Sequence, residues 1–276
     1  MPTNPQVDCH AHIISPAQFP YADGPGYKPR PDEVGTREMF AQIRGAHGIS
    51  HALLVQPSCY GYDNAAMLDA MRASQGRIKG IAVVPPDIPD REMRRLGDQG
   101  VVGIRLNLMR TDPDALTRPG SEEFLSRVKA LGWFVQVYAT GDVWADVEGP
   151  LRRSGARIVI DHFGDPDVSR GLDQPGFQAV LRLGGDTDAV VKLSAPYRPS
   201  KRPFPHEDTL PFVAAVVRAF GVGRCLWGSD WPFINTSQRV EYGPLLSLLD
   251  RWFPDAADRH QVLWKTPAHL FGFIGS

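Results

Sequence analysis

His10, His12, His162 and Asp230 are the residues of this 276-residue chain whose types and settings could do chemistry. They stand in VDCHAHI, RIVIDHFG and RCLWGSDWP, each at the C-terminal end of a short apolar run. Three imidazoles and a carboxylate gathered from distant segments can bind a metal, activate water or polarise a carbonyl. Such a set at one end of a sheet fits hydrolysis better than a structural role. Two imidazoles spaced i, i+2 and pointing into a barrel mouth are costly to bury unless they are hydrogen-bonded or ligating. Asp230, held among imidazoles, can take a proton from water as a general base.

Placing these groups together requires strands whose ends converge. Candidate strands are residues 7–13, 51–56, 78–84, 101–107, 133–139, 157–162, 189–194 and 225–230. Their Val, Ile and Leu content reads as parallel strands buried on both faces. Between several of them apolar residues recur at helical spacing, over 37–43, 64–71, 122–132 and 209–221. Asp63 suits a helix N-cap, and Gly132 and Gly221 suit C-terminal caps. Strands alternating with helices imply βαβ units. Eight such units on this length predict a single-domain (β/α)₈ barrel spanning 1–276, whose catalytic groups project from the strand C-termini. No glycine fingerprint follows the first strand, which argues against a dinucleotide-binding sheet. Two Pro/Gly-rich segments, 15–36 and 195–211, follow strand ends and are expected to cover the site.

Composition narrows the function classes. With 42% hydrophobic residues the chain can bury a full core, and a net charge of −1 gives no reason to expect nucleic acid or an anionic membrane as partner. The start MPTNPQVDCHAH has neither the basic region nor the apolar run of a signal peptide, and no apolar run approaches the roughly 20 residues that span a bilayer. Three widely spaced cysteines, Cys9, Cys59 and Cys225, argue against a disulfide framework. These features predict a cytoplasmic protein.

Other polar residues divide into site and surface. Strand alternation puts His10 and His12 on one face and Cys9 on the other. His47, His51, His206, His260 and His269 read as surface or packing residues, and Cys59 as a free thiol at a pocket rim. Arg105 and Asn107 share a face at the end of strand four, Arg110 follows in the loop, and Arg198 lies beyond strand seven. Arginines near a barrel mouth suit bidentate binding of carboxylate or sulfonate. Their alternative partners are acids such as Asp165 and Asp167. The C-terminal aromatics Trp252, Trp264, Phe271 and Phe273 are expected to pack against the barrel.

With HxH on strand one, DHFG on strand six and WGSDWP on strand eight, the chain resembles the amidohydrolase superfamily. GYKP, VQPSCYGYDNAAML and GIRLNL extend the likeness to its lactonase branch over nearly the whole chain. The resemblance implies a barrel that opens an anionic lactone, dicarboxylate or sulfonate-bearing, in the breakdown of aromatic compounds. It implies Asp230 as the base, with His10, His12 and His162 stabilising charge on the carbonyl oxygen. Tyr27, Ser58, Arg105, Tyr138 and Arg198 match positions that hold the substrate's acid groups, with Arg110 close to a further one. Strands four and five offer Arg105, Asn107, Gln136 and Tyr138 where many members carry metal ligands. No metal is therefore expected to be obligatory. A single zinc or manganese ion would take His10, His12 and Asp230. Asp165 departs from the branch, whose members often have an arginine there; an acid repels a carboxylate unless a neighbouring arginine pairs with it.

Two other readings remain open at this stage. One is a zinc-dependent decarboxylase of an aryl or muconate-semialdehyde acid, which would want a histidine where Tyr138 stands. The other is a non-catalytic ligand-binding barrel, which predicts loss of at least one of the four site residues.

Overall fold

The apolar runs rich in Val, Ile and Leu form eight strands. β1 is Val7–Ala11, β2 His51–Val55, β3 Ile78–Ala82, β4 Val101–Asn107, β5 Phe134–Tyr138, β6 Arg157–Ile160, β7 Val190–Ser194 and β8 Cys225–Gly228. The structure, a computed structural model, describes residues 4–23 and 27–275. The sheet runs in the order β1 to β8 with every recorded strand pair parallel. Helices follow the strands in turn: α1 Arg37–Ala46, α2 Ala65–Ala73, α3 Asp90–Asp98, α4 Ser121–Ala130, α5 Val143–Ser154, α6 Pro175–Asp186, α7 Leu210–Phe220 and α8 Tyr242–Trp252. This is the (β/α)₈ barrel that the alternation predicts. None of the described helices is long and apolar enough to cross a membrane.

Two apolar layers hold it together. An inner layer of Val7, Cys9, Leu53, Val55, Ile81, Phe134, Val159, Val190 and Leu226 fills the lower barrel and is plugged from below by Phe271 and Phe273. An outer layer, including Leu54, Val135, Val191 and Trp227, packs against helix residues such as Met67, Phe124, Val180 and Val216. Trp264 packs beside the inner layer and Trp252 beside the outer one. Phe271 belongs to the last short helix, α10 (Thr266–Phe271), which follows α9 (Ala256–His260).

Cys9 differs from expectation: it faces the barrel interior, as Val7 does, while Ala11 joins the outer layer. The register of β1 against β2 shifts between Asp8 and Ala11, and such a bulge breaks strict alternation. The strands also end sooner than expected, so His12, His162 and Asp230 lie just past β1, β6 and β8. Gly132 (φ 67°) and Gly221 (φ 72°) sit in left-handed conformations at the ends of α4 and α7. Asn64, not Asp63, occupies the N-cap position of α2, but the Asp63 carboxylate still accepts from the Ala65 amide at 2.9 Å.

Between β8 and β1 the ring is closed by other means than a regular ladder. The Asp230 amide donates to the His10 carbonyl at 2.7 Å and the His12 amide to the Trp231 carbonyl at 2.8 Å. Below them, buried Asp8 accepts from the Ser229 amide (3.0 Å), the Ser229 hydroxyl (2.6 Å) and the Tyr242 hydroxyl of α8 (2.9 Å). A Cβ on Gly228 would stand 2.5 Å from that of His10, so only glycine permits this approach.

Candidate active site

Three histidines and one carboxylate converge at the C-terminal end of the strands. Asp230 Oδ1 lies 3.5 Å from His10 Nε2, 3.4 Å from His12 Nε2 and 3.9 Å from His162 Nε2. All four residues are buried. Each imidazole is steadied at Nδ1 by a different part of the barrel. His12 Nδ1 bonds the Val55 carbonyl of β2 (2.7 Å), His162 Nδ1 meets the Ser194 hydroxyl of β7 (2.8 Å), and His10 Nδ1 lies 3.2 Å from Asp161 Oδ1. A carbonyl only accepts, so His12 Nδ1 carries a proton and donates it to Val55.

Backbone strain accompanies these positions. After β6 the chain turns through His162 (φ 50°, ψ 44°) and Phe163 (φ 42°, ψ 32°), and Asp230 has φ 61°. Left-handed non-glycine residues of this kind cluster where a side chain must be aimed.

The two oxygens of Asp230 have different surroundings. Oδ2 accepts from the Tyr197 hydroxyl (2.7 Å) and from Arg198 Nε (2.9 Å) and Nη2 (2.6 Å). Oδ1 is buried without a hydrogen-bond donor, as is His10 Nε2. Burial would raise the Asp230 carboxyl, but Arg198 and the surrounding imidazoles outweigh it and hold it well below the usual range. Burial pushes His162 down to about 4, and His10 well below its ordinary value. At neutral pH the carboxylate is therefore charged and these two rings are neutral.

The orphaned atoms bear on the metal question. His10, His12 and Asp230 offer ligand atoms within 4.8 Å of one another, as do His10, Asp161 and His162. Two of the atoms in the first set lack any hydrogen-bond donor or acceptor. Two imidazole nitrogens and a carboxylate oxygen suit one zinc or manganese ion with water completing the shell, so the residues fit such an ion.

Beneath the histidines lies an ionic layer that sequence reasoning missed. Lys192 Nζ donates to Gln136 Oε1 (2.6 Å) and stands 3.6 Å from Asp161 Oδ1 and 3.4 Å from His10 Nδ1. Gln136 Nε2 and Arg105 Nε donate to Asp161 Oδ2 at 3.0 and 3.2 Å. Burial brings Lys192 down to about 8, against the pull of Asp161. Alternation from Phe134 and Val190 would have pointed Gln136 and Lys192 inward.

His12, His162, Asp230, Tyr27, Ser58, Arg105, Arg110, Tyr138 and Arg198 all border one small cavity of about 60 Å³. It adjoins a larger one of about 470 Å³, which Tyr27, Ser58, Arg105 and Arg110 also line. His10, expected beside the other histidines, does not border the cavity; it lies one layer lower, against Asp161 and Lys192. Both covering segments contribute: 15–36 through Tyr27, and 195–211 through Arg198, although 24–26, within the first and including Gly26 of GYKP, lie outside the described residues. Arg105 and Arg198 are held by Asp161 and Asp230 rather than by Asp165 or Asp167. Among the described residues no arginine lies within ion-pair distance of Asp165; its partner is the Tyr138 hydroxyl, at 2.9 Å.

Cys59 borders the larger cavity, and burial pushes its thiol up to about 12, which disfavours the thiolate. Cys9 and Cys225 are also free and buried. His51 begins β2 and packs against Trp264 and Phe273, while His47 and His206 bond nearby carbonyls.

Comparison with known proteins agrees with this architecture. The chain is 31% identical to a 2-pyrone-4,6-dicarboxylate hydrolase of Comamonas testosteroni, over 96% of this chain and 89% of that protein. It is 31% identical to a 4-sulfomuconolactone hydrolase of Rhizobium radiobacter, over 97% and 90%. The solved structure of a probable 2-pyrone-4,6-dicarboxylic acid hydrolase from Acinetobacter baumannii, with citric acid bound, superposes with a TM-score of 0.88 at 31% identity. That match covers 97% of this chain and 99% of the other. The amidohydrolase family model matches residues 7–273, and the chain belongs to that family.

Proposed function

We propose that this protein hydrolyses an anionic lactone, with Asp230 activating the attacking water. It is an ester-cleaving hydrolase of the lactonase kind, like the relatives it matches. The observation that carries the reading is the convergence of three imidazole Nε2 atoms on the one Asp230 oxygen that has no donor. That oxygen accepts a proton from water as the water oxygen bonds to the lactone carbonyl carbon. The carbonyl oxygen becomes an alkoxide facing His162, whose Nε2–H donates to it when the Ser194 hydroxyl donates to Nδ1. Collapse of the alkoxide breaks the ring C–O bond; the leaving alcohol or enol oxygen takes back the proton held by Asp230, and the new carboxylic acid releases its own proton to solvent. His10 acts from below, fixed by Asp161 and set 3.5 Å from Asp230 Oδ1.

Were a divalent ion bound by His10, His12 and Asp230, it would supply Lewis acidity towards the carbonyl and a lowered pKa for water. Arg198 keeps Asp230 ionised and presents its remaining guanidinium edge to the cavity. Arg105 and Arg110 border both cavities and supply the attraction for an acid group. The setting we infer is the breakdown of aromatic compounds.

The reading is tested by mixing chelator-treated protein with pyrone carboxylates and following loss of the pyrone absorbance, with and without added zinc or manganese. Ring opening by the parent and none by Asp230→Asn is expected. An Asp230→Asn protein that opens the ring at the parent rate would overturn the assignment of the base.

A further inference from the structure

The cations and acids around the cavity are unevenly matched. Arg105 is engaged by Asp161, and Arg198 by Asp230 through two nitrogens. Lys192 lies below, beside Asp161. Arg110 is different. It borders both cavities, its guanidinium lies 5.7 Å from the centre of the Tyr27 ring, and among the described residues no carboxylate is within ion-pair distance of it.

At Tyr138 a carboxylate is already in place. Tyr138 borders it and donates its hydroxyl proton to Asp165 Oδ2 at 2.9 Å. With that proton directed at Asp165, the phenol oxygen offers the cavity a lone pair. Burial raises the Asp165 carboxyl above its ordinary value, against the pull of Arg198 and Lys201, neither of which is within ion-pair reach. A second acid group on this side would meet the phenol's lone pair with the Asp165 carboxylate behind it. Arg105 lies over the Tyr138 ring, 5.5 Å from its centre, with its Nε held by Asp161, so a second acid group is attracted there. Directed at the phenol oxygen itself, that group would have to break the Tyr138–Asp165 bond or leave the oxygen without a donor; leaving buried polar groups unpaired is the stronger route to discrimination.

We infer that the cavity selects a lactone with one acid group, placed at Arg110, and an uncharged hydrogen-bond donor such as a hydroxyl facing the Tyr138–Asp165 pair. Asp165 is then the specificity-determining residue, acting through Tyr138. The inference rests on the hydrolytic reading above for the word lactone, but its charge rule does not need turnover.

Binding tests the rule directly. Benzene-1,3-dicarboxylate and 3-(hydroxymethyl)benzoate are planar, unreactive probes that differ in one acid group, and calorimetry gives both affinities. The hydroxymethyl probe should bind the parent at least about tenfold more tightly. Asp165→Asn, which suits the left-handed backbone at that position (φ 43°), should bring the two within about threefold, and Asp165→Arg should reverse them. Equal or tighter binding of the dicarboxylate by the parent overturns the inference. So does binding of neither probe, or a preference that Asp165→Asn leaves unchanged.

Turnover then separates the two proposals. The parent should open 4-(hydroxymethyl)-2-pyrone-6-carboxylate with a higher kcat/KM than 2-pyrone-4,6-dicarboxylate, and Asp165→Asn should narrow the ratio. The expected binding preference with no ring opening would sink the hydrolytic reading alone. Faster opening of the dicarboxylate by the parent would sink the charge rule alone.

Discussion

The Asp230 amide donates a 2.7 Å hydrogen bond to the His10 carbonyl, so the seam that closes the barrel and the centre of the candidate site are the same few atoms. Gly228 makes this possible by letting β8 lie against the backbone of His10. Asp8 reinforces the seam from beneath through Ser229 and Tyr242. Stability and the geometry of the candidate site are thereby coupled at one place.

Gly228→Ala should therefore be costly. Its Cβ would fall 2.5 Å from His10 Cβ and 2.8 Å from the His10 nitrogen, contacts that need backbone movement. A loss of about 2–4 kcal/mol is expected in denaturant unfolding. Gly185→Ala in α6, where an added Cβ meets nothing within 4 Å, serves as the control and should be neutral or stabilising by up to about 1 kcal/mol. Equal stability of the two variants would contradict the seam.

Asp230→Asn keeps the shape and suits the left-handed backbone at φ 61°. Its circular dichroism should stay close to the parent's and its melting temperature should fall moderately, because Arg198 loses its counter-charge, while kcat/KM towards the best lactone falls at least about a thousandfold. Loss of fold together with activity would mean that the carboxylate is chiefly structural.

Arg198 lowers the Asp230 carboxyl, so removing it should move the acidic limb of the kcat/KM–pH profile. In Arg198→Gln the carboxyl gains its proton at higher pH, and the limb's midpoint shifts upward. KM should also rise, because a cation bordering the cavity is lost. An unmoved limb would assign it to a group other than Asp230.

His162 is buried neutral, with its proton uptake pushed from the ordinary 6.5 to about 4. Between those values the unfolded chain binds the proton and the folded one does not, so stability falls as pH drops through that window. The contribution is on the order of 3 kcal/mol, fully lost by about pH 4. His162→Gln should flatten the slope of unfolding free energy from pH 6.5 to 4; a slope identical to the parent's would refute the burial argument.

Much of this was legible in the residues. Eight apolar runs separated by helical periods predict a parallel barrel, because strands buried on both faces must be apolar throughout. HxH, DH and SD at the ends of three runs foretell residues that converge into one candidate site, because strand C-termini share one rim. Arg105, Arg110 and Arg198 could be picked out for the same reason.

Only the tertiary structure decided how these groups pair. The bulge in β1 sends Cys9 inward, and local sequence carries no mark of a register shift fixed by the neighbouring strand. Asp161, Lys192 and Gln136 come from three strands and meet only because the barrel closes, so no spacing in the chain foretells their contact. The same holds for Arg198 on Asp230 and Tyr138 on Asp165. Residue type sets which charges are available; through-space distance sets which of them remain free for a substrate.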